Sequence, residues 1–214
     1  MPLEATPEEV REERTKEALQ IAGVDDLPEE LRVYVTQAVN QLAYDRKKNY
    51  PQFGGAFQSL LYPLEALCGE LLRRTLASRV PNHRGEADYY FLPDLSDLSA
   101  AQENVFAKNG RYLRKNLVYN QNNNRIGVLL FCLEHAVQGA PGLGGVWQDV
   151  REYLGDEKMK ALYPVLDKMN AFRNRHVAHV DDPLQDGEAA DAAMKLWIAG
   201  LAQLSRSVGV FAAS

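Results

Sequence analysis

The sequence predicts an all-α protein, a helical bundle of five to seven helices with an irregular middle insertion. Three observations predict it. Apolar residues recur three or four apart through most of the 214 residues. Proline-and-acid start signals precede the first two of these stretches. No stretch of useful length alternates apolar and polar residues as a half-buried strand does.

The elements follow in order. Thr6-Pro7-Glu8-Glu9 is a helix start: a hydroxyl N-cap, proline at the first helical position, then acids facing the helix dipole. That helix runs to about Ala22. Asp26-Leu27-Pro28-Glu29 repeats the signal, and Leu31, Val35, Ala38, Val39 and Leu42 give the next stripe. A break at Pro51–Gly55 precedes a long helix striped by Phe57, Leu60, Leu64, Leu67 and Leu71, with Pro63 as a candidate kink. The stretch 81–99 has no steady period and reads as the insertion. A short helix is expected over Ser99–Lys108. Ile126–Val137 is apolar nearly all round, which marks a central buried helix. After a glycine-rich turn at Gly139–Gly145, helices are expected over Val146–Leu154 and Asp156–Ala178, the second kinked or split by Pro164. Ala190, Ala193, Met194, Trp197, Leu201, Leu204 and Val208 mark the last helix.

Composition narrows the class. Apolar residues make up 46% and charged residues 25%, an ordinary globular balance that needs no disulfide framework. The longest apolar runs, Ile126–Leu133 and Leu196–Ala202, fall far short of the roughly 20 residues that span a bilayer. Met1–Glu13 lacks the basic-then-apolar opening of a signal peptide. Cys68 and Cys132 lie in apolar runs and read as reduced core thiols. A cytoplasmic protein with no membrane association is therefore expected.

The net charge of −5 excludes coating of nucleic acid by bulk charge, but the charge is unevenly placed. Residues 1–30 hold ten acids against the three bases Arg11, Arg14 and Lys16. The remainder is nearly neutral and has room for local basic patches. The division expected is an acidic N-terminal helical segment at 1–25 followed by a bundle over 26–214.

The most informative segment is Ala171-Phe172-Arg173-Asn174-Arg175-His176-Val177-Ala178-His179-Val180-Asp181-Asp182. Leu162, Leu166, Met169 and Phe172 form an apolar stripe, and Arg173 and His176 continue its spacing where core residues would stand. An arginine there must sit at the rim, pair with a carboxylate, or meet an anionic ligand. Histidine exchanges protons near neutral pH, and arginine holds phosphate and stabilises charge growing on it. Together they suffice to cleave RNA without a metal. The same cluster at a helix C-terminus also serves as a capping device for the dipole. His176, His179 and Asp181 offer a third reading as metal ligands, though no HExxH pattern is present. No metal and no cofactor is expected.

At these residues the sequence resembles the HEPN superfamily. Its nuclease motif is an arginine, commonly followed by a polar residue such as asparagine, with a histidine after four to six intervening residues. Here Asn174 fills the polar position, and five residues separate Arg173 from His179. The resemblance covers about ten residues and implies a helical bundle with Arg173, Asn174 and His179 as catalytic positions. His176 is a second candidate imidazole, and spacing favours His179. The resemblance further implies a metal-independent endoribonuclease working as a homodimer in toxin–antitoxin, antiviral or CRISPR-associated defence. An antitoxin or a larger defence complex is the implied partner. The alternative is a non-catalytic HEPN-like module that binds RNA, a nucleotide or a partner protein.

A second feature suits RNA. No Asp or Glu stands between Glu103 and Glu134, a stretch that contains Lys108, Arg111, Arg114, Lys115 and Arg125, with Tyr112 and Tyr119 among them. Phosphates attract such cations, and tyrosines stack on unpaired bases. These residues, with Arg175, are the expected RNA contacts. The competing reading is a solvated helix face and a polar loop.

Overall fold

The computed structural model describes residues 6–25, 27–50, 52–76, 99–117, 119, 121, 124–138, 145–178 and 183–209. Among them the protein is all-α, with eight α-helices and no strand. One helix lies in the acidic N-terminal segment and seven lie in 26–214. The expected insertion at 81–99 lies outside the described residues except Ser99. None of the described helices is long and apolar enough to cross a membrane.

The chain divides into two compact units, 1–64 with 168–206 and 211–214, and 65–167 with 207–210. The change of charge near residue 25 does not coincide with this division. The first unit holds α1 (Pro7–Ile21), α2 (Glu29–Lys47), a 3₁₀ turn (Gly54–Phe57) and the start of α3 (Gln58–Leu76). Thr6 caps α1 through a reciprocal box: its hydroxyl accepts from Glu9 N at 3.3 Å, and Glu9 Oε2 accepts from Thr6 N at 2.7 Å. Thr15 and Leu19 of α1 face Leu31, Val35, Ala38 and Leu42 of α2, and Arg32 pairs with Glu12 across the seam. The aromatic centre of this unit is Phe57, which packs on Phe172 at 4.7 Å and on Trp197 at 5.9 Å between ring centroids. Trp197 belongs to α8 (Gly187–Val208), and Arg46 of α2 ties the start of that helix through Asp191 at 2.7 Å.

The second unit holds the rest of α3, α4 (Ala100–Leu117), α5 (Arg125–Gln138), α6 (Gly145–Leu154) and most of α7 (Asp156–Phe172). As its composition predicts, α5 is central: Ile126, Leu129, Cys132 and Leu133 have no exposed surface. Its first turn is capped by Glu65 of α3, whose Oε2 accepts from Ile126 N at 3.3 Å. Both cysteines are buried, and burial pushes the Cys132 thiol up to about 12. His135 sits half-buried between Phe106 and Phe131, its Nδ1 2.8 Å from the Phe131 carbonyl.

Two expectations need adjusting. The helix foreseen over Ser99–Lys108 continues to Leu117. Its buried face is Phe106, Gly110, Leu113 and Asn116, so glycine and asparagine occupy two of the four inward positions and hide the stripe from an apolar count. Helix α7 runs through Pro164 without splitting. The change of backbone comes later, where residues Arg173–Ala178 form a π-helical turn.

Candidate functional site

The π turn carries three of the four catalytic candidates, Arg173, Asn174 and His176. Such turns widen the helix by one residue and are found mostly as single insertions, often at functional positions. Here the widening ends the strict inward stripe of α7. Met159, Leu162, Leu166 and Met169 are buried, as their spacing predicts. Arg173 and His176 would follow inward in an unbroken α-helix, yet both are only half-buried. Val177 takes the core position in their place, at 4% exposure.

The side chains then distribute simply. Asn174 and Arg175 are exposed. Arg173 Nη1 donates to Asn174 Oδ1 at 3.3 Å. The His176 ring packs against Phe172 at 4.9 Å between centroids, which ties the imidazole to the aromatic centre of the first unit. His179 and Asp181 lie outside the described residues. Among the described residues no group of three or more His, Cys, Asp or Glu is placed to hold a metal ion. Of the three candidate ligands only His176 is described.

The π turn is held by a contact the sequence reading missed. The 3₁₀ turn lies against its backbone so closely that a Cβ added at Gly54 would stand 2.3 Å from the His176 carbonyl oxygen. Only glycine permits that approach. Its neighbour Gly55 has nothing within 4 Å of the same position. The signal was the Gly54-Gly55 doublet, which reads from sequence as a simple break between helices.

The candidate RNA contacts separate by their surroundings. Lys108, Arg111 and Lys115 are exposed on one face of α4 at spacings of three and four. Tyr112 is half-buried, with the Lys108 ammonium 6.0 Å from its ring centre. Tyr119 is 56% exposed. Arg114 is half-buried. Arg125 turns inward: its Nε donates to Asn116 Oδ1 at 3.4 Å, and its side chain fills the space over Gly69 of α3, where a Cβ would lie 2.6 Å away. Arg125 therefore helps join α3, α4 and α5 within the second unit.

Arg173, Arg175 and His176 share one turn at the end of the helix, residue types suited to an anionic ligand and to proton exchange. No protein family, curated protein or solved structure matches the chain.

Proposed function

We propose that the protein is a metal-independent endoribonuclease of the HEPN type, acting as a homodimer in a toxin–antitoxin or other defence system. The observation that supports it best is the π turn. It holds Arg173 and Asn174 together at the rim of a long helix, one residue short of His179 in the sequence.

In the proposed reaction a histidine, His179 by spacing, takes the proton from a ribose 2′-hydroxyl. The oxygen attacks the adjacent phosphorus, and the bond to the 5′-oxygen breaks. The departing oxygen takes up a proton and leaves as a 5′-hydroxyl, while the other fragment ends in a 2′,3′-cyclic phosphate. Arg173 stabilises the charge on the five-coordinate phosphorus, and Asn174 holds the guanidinium in register. A second copy would bring a second imidazole for the other proton transfer. His176, packed on Phe172, is the alternative proton carrier.

The test is cleavage of a broad RNA panel in EDTA by the wild type and by Arg173→Ala and His179→Ala. Each substitution is expected to reduce the rate about 100-fold or more while the helical circular dichroism is kept. Full activity in both variants would overturn the reading. A wild-type chain that binds RNA but cuts none of it would identify a catalytically silent relative.

A further inference from the structure

The first unit contains a second basic site that the run of acids in residues 1–30 conceals. A cleft of ≈ 820 Å³ opens between α1, α2 and the 3₁₀ turn. Arg11 and Arg14 line it from α1, and Lys47 lines it from α2. No carboxylate stands among its described lining residues, and none of the three cations makes an ion pair with a described residue. Four acids of α1, Glu8, Glu9, Glu12 and Glu13, surround a separate hollow with Lys16, and the fifth, Glu17, lines another hollow that Arg14 also reaches. The cleft side of α1 thus presents Arg11 and Arg14 without a carboxylate. In a chain of net charge −5, this grouping of exposed cations is complementary to an anion.

The remaining walls narrow the choice of anion. Gln37, Asn40 and Gln41 line the cleft with amides, Asn40 donating to the Thr36 carbonyl at 2.8 Å and Gln41 to Asp45 Oδ1 at 2.7 Å, and Tyr44 lines it with a ring that is 47% exposed. Arg14 is already aimed by a hydrogen bond to Asn40 Oδ1 at 3.4 Å. From Gln37 to Lys47 the α2 wall extends roughly 15 Å, at the 1.5 Å rise of an α-helix. Cations for phosphates, amides for base edges and a tyrosine for stacking are the combination that suits single-stranded nucleic acid. The floor of the cleft is the same 3₁₀ turn whose Gly54 rests on the His176 carbonyl. One short turn therefore supports both the cleft and the π turn.

We infer that this cleft holds the phosphate backbone of a single-stranded RNA segment through Arg11, Arg14 and Lys47. The inference rests on the RNA reading above for the identity of its ligand, and it adds a strand-binding surface distinct from α4.

The experiment measures binding, not cleavage. The full chain is titrated with a short fluorescent 2′-O-methyl oligouridylate, which has no 2′-hydroxyl to react, at several salt concentrations. The triple substitution Arg11→Ala, Arg14→Ala and Lys47→Ala should weaken binding at least tenfold. It should also flatten the slope of log Kd against log salt by about 2, since each phosphate contact on a single strand contributes about 0.7. Gly55→Trp is the second variant: it keeps every charge, meets nothing near its Cβ, and should obstruct the strand. Unchanged affinity in both variants, or a wild-type chain without affinity for the oligomer, overturns the inference. So does a loss of equal size for inorganic triphosphate with none for the oligomer, which would identify a small-anion site. Arg173 and His179 are intact throughout, so a chain that binds through the cleft but never cuts RNA removes the nuclease reading alone. A chain that cuts RNA with the cleft emptied of charge removes the cleft alone if binding is also unchanged.

Discussion

Gly54 shows how much of the candidate site depends on an atom that is missing. The 3₁₀ turn can rest on the His176 carbonyl only because residue 54 has no Cβ. Gly54→Ala should cost about 1–3 kcal/mol by overpacking and lower the melting temperature by several degrees. Gly55→Ala, which meets no atom within 4 Å, should leave it almost unchanged. Differential scanning fluorimetry of the two variants separates these outcomes, and equal melting temperatures would contradict the contact. The sequence showed the Gly-Gly pair but not which of the two is crowded, because that depends on a segment more than 120 residues away. By contrast, the position of Arg173 was partly legible. Its place at the end of an apolar stripe marked it as a cation near a core, and the structure finds it half-buried at a rim with Asn174 beside it.

At the scale of elements, stripes of consistent apolar residues were easy to read and interruptions were not. Helices α5 and α8 follow their patterns because nearly every inward position is aliphatic or aromatic. The apolar stripe of α4 stops short of its true end because Gly110 and Asn116 are packed inward. The π turn is invisible to any count that assumes a constant 3.6-residue period, since it shifts the phase by one residue. Capping was legible, and it makes a measurable prediction. Thr6→Ala removes the hydroxyl that accepts from Glu9 N and should destabilise the protein by about 1 kcal/mol in urea unfolding. Thr6→Ser should retain most of that stability. An unchanged midpoint in the alanine variant would show that the α1 terminus frays without consequence.

For the whole molecule, composition identified the class, but the charge pattern, acidic over residues 1–30, pointed away from the cleft, and only folding sorted the charges. Arg11 and Arg14 sit in a run of acids, and the cleft they line with Lys47 needs two helices brought side by side. Three hydrogen-bonded carboxylates contribute to the response to acid. Hydrogen bonds from the Thr6 backbone and hydroxyl hold Glu9 below its usual value. Burial pushes Glu70 up, but Arg74 and Arg73 outweigh it and bring it below the ordinary range. The hydrogen-bonded Arg151 holds Asp156 down. Each carboxyl binds its proton more weakly folded than unfolded. Their contribution to stability is therefore complete above the unfolded values, near pH 4, and is lost as pH falls through the lowered folded ones. The melting temperature should be level through mild acid and decline below about pH 4. A decline beginning near pH 6 would point to histidine instead.

In the proposed reaction an arginine and a histidine cut a phosphodiester using the RNA's own 2′-oxygen. The most direct measurement is the chemistry of the new 3′ end on RNA cut by the purified protein in EDTA. A 2′,3′-cyclic phosphate, opened to a monophosphate by acid and absent when the nucleotide before the cut is 2′-deoxy, is the result expected. A 3′-hydroxyl end, or cleavage that persists at the 2′-deoxy position, would contradict attack by the 2′-oxygen.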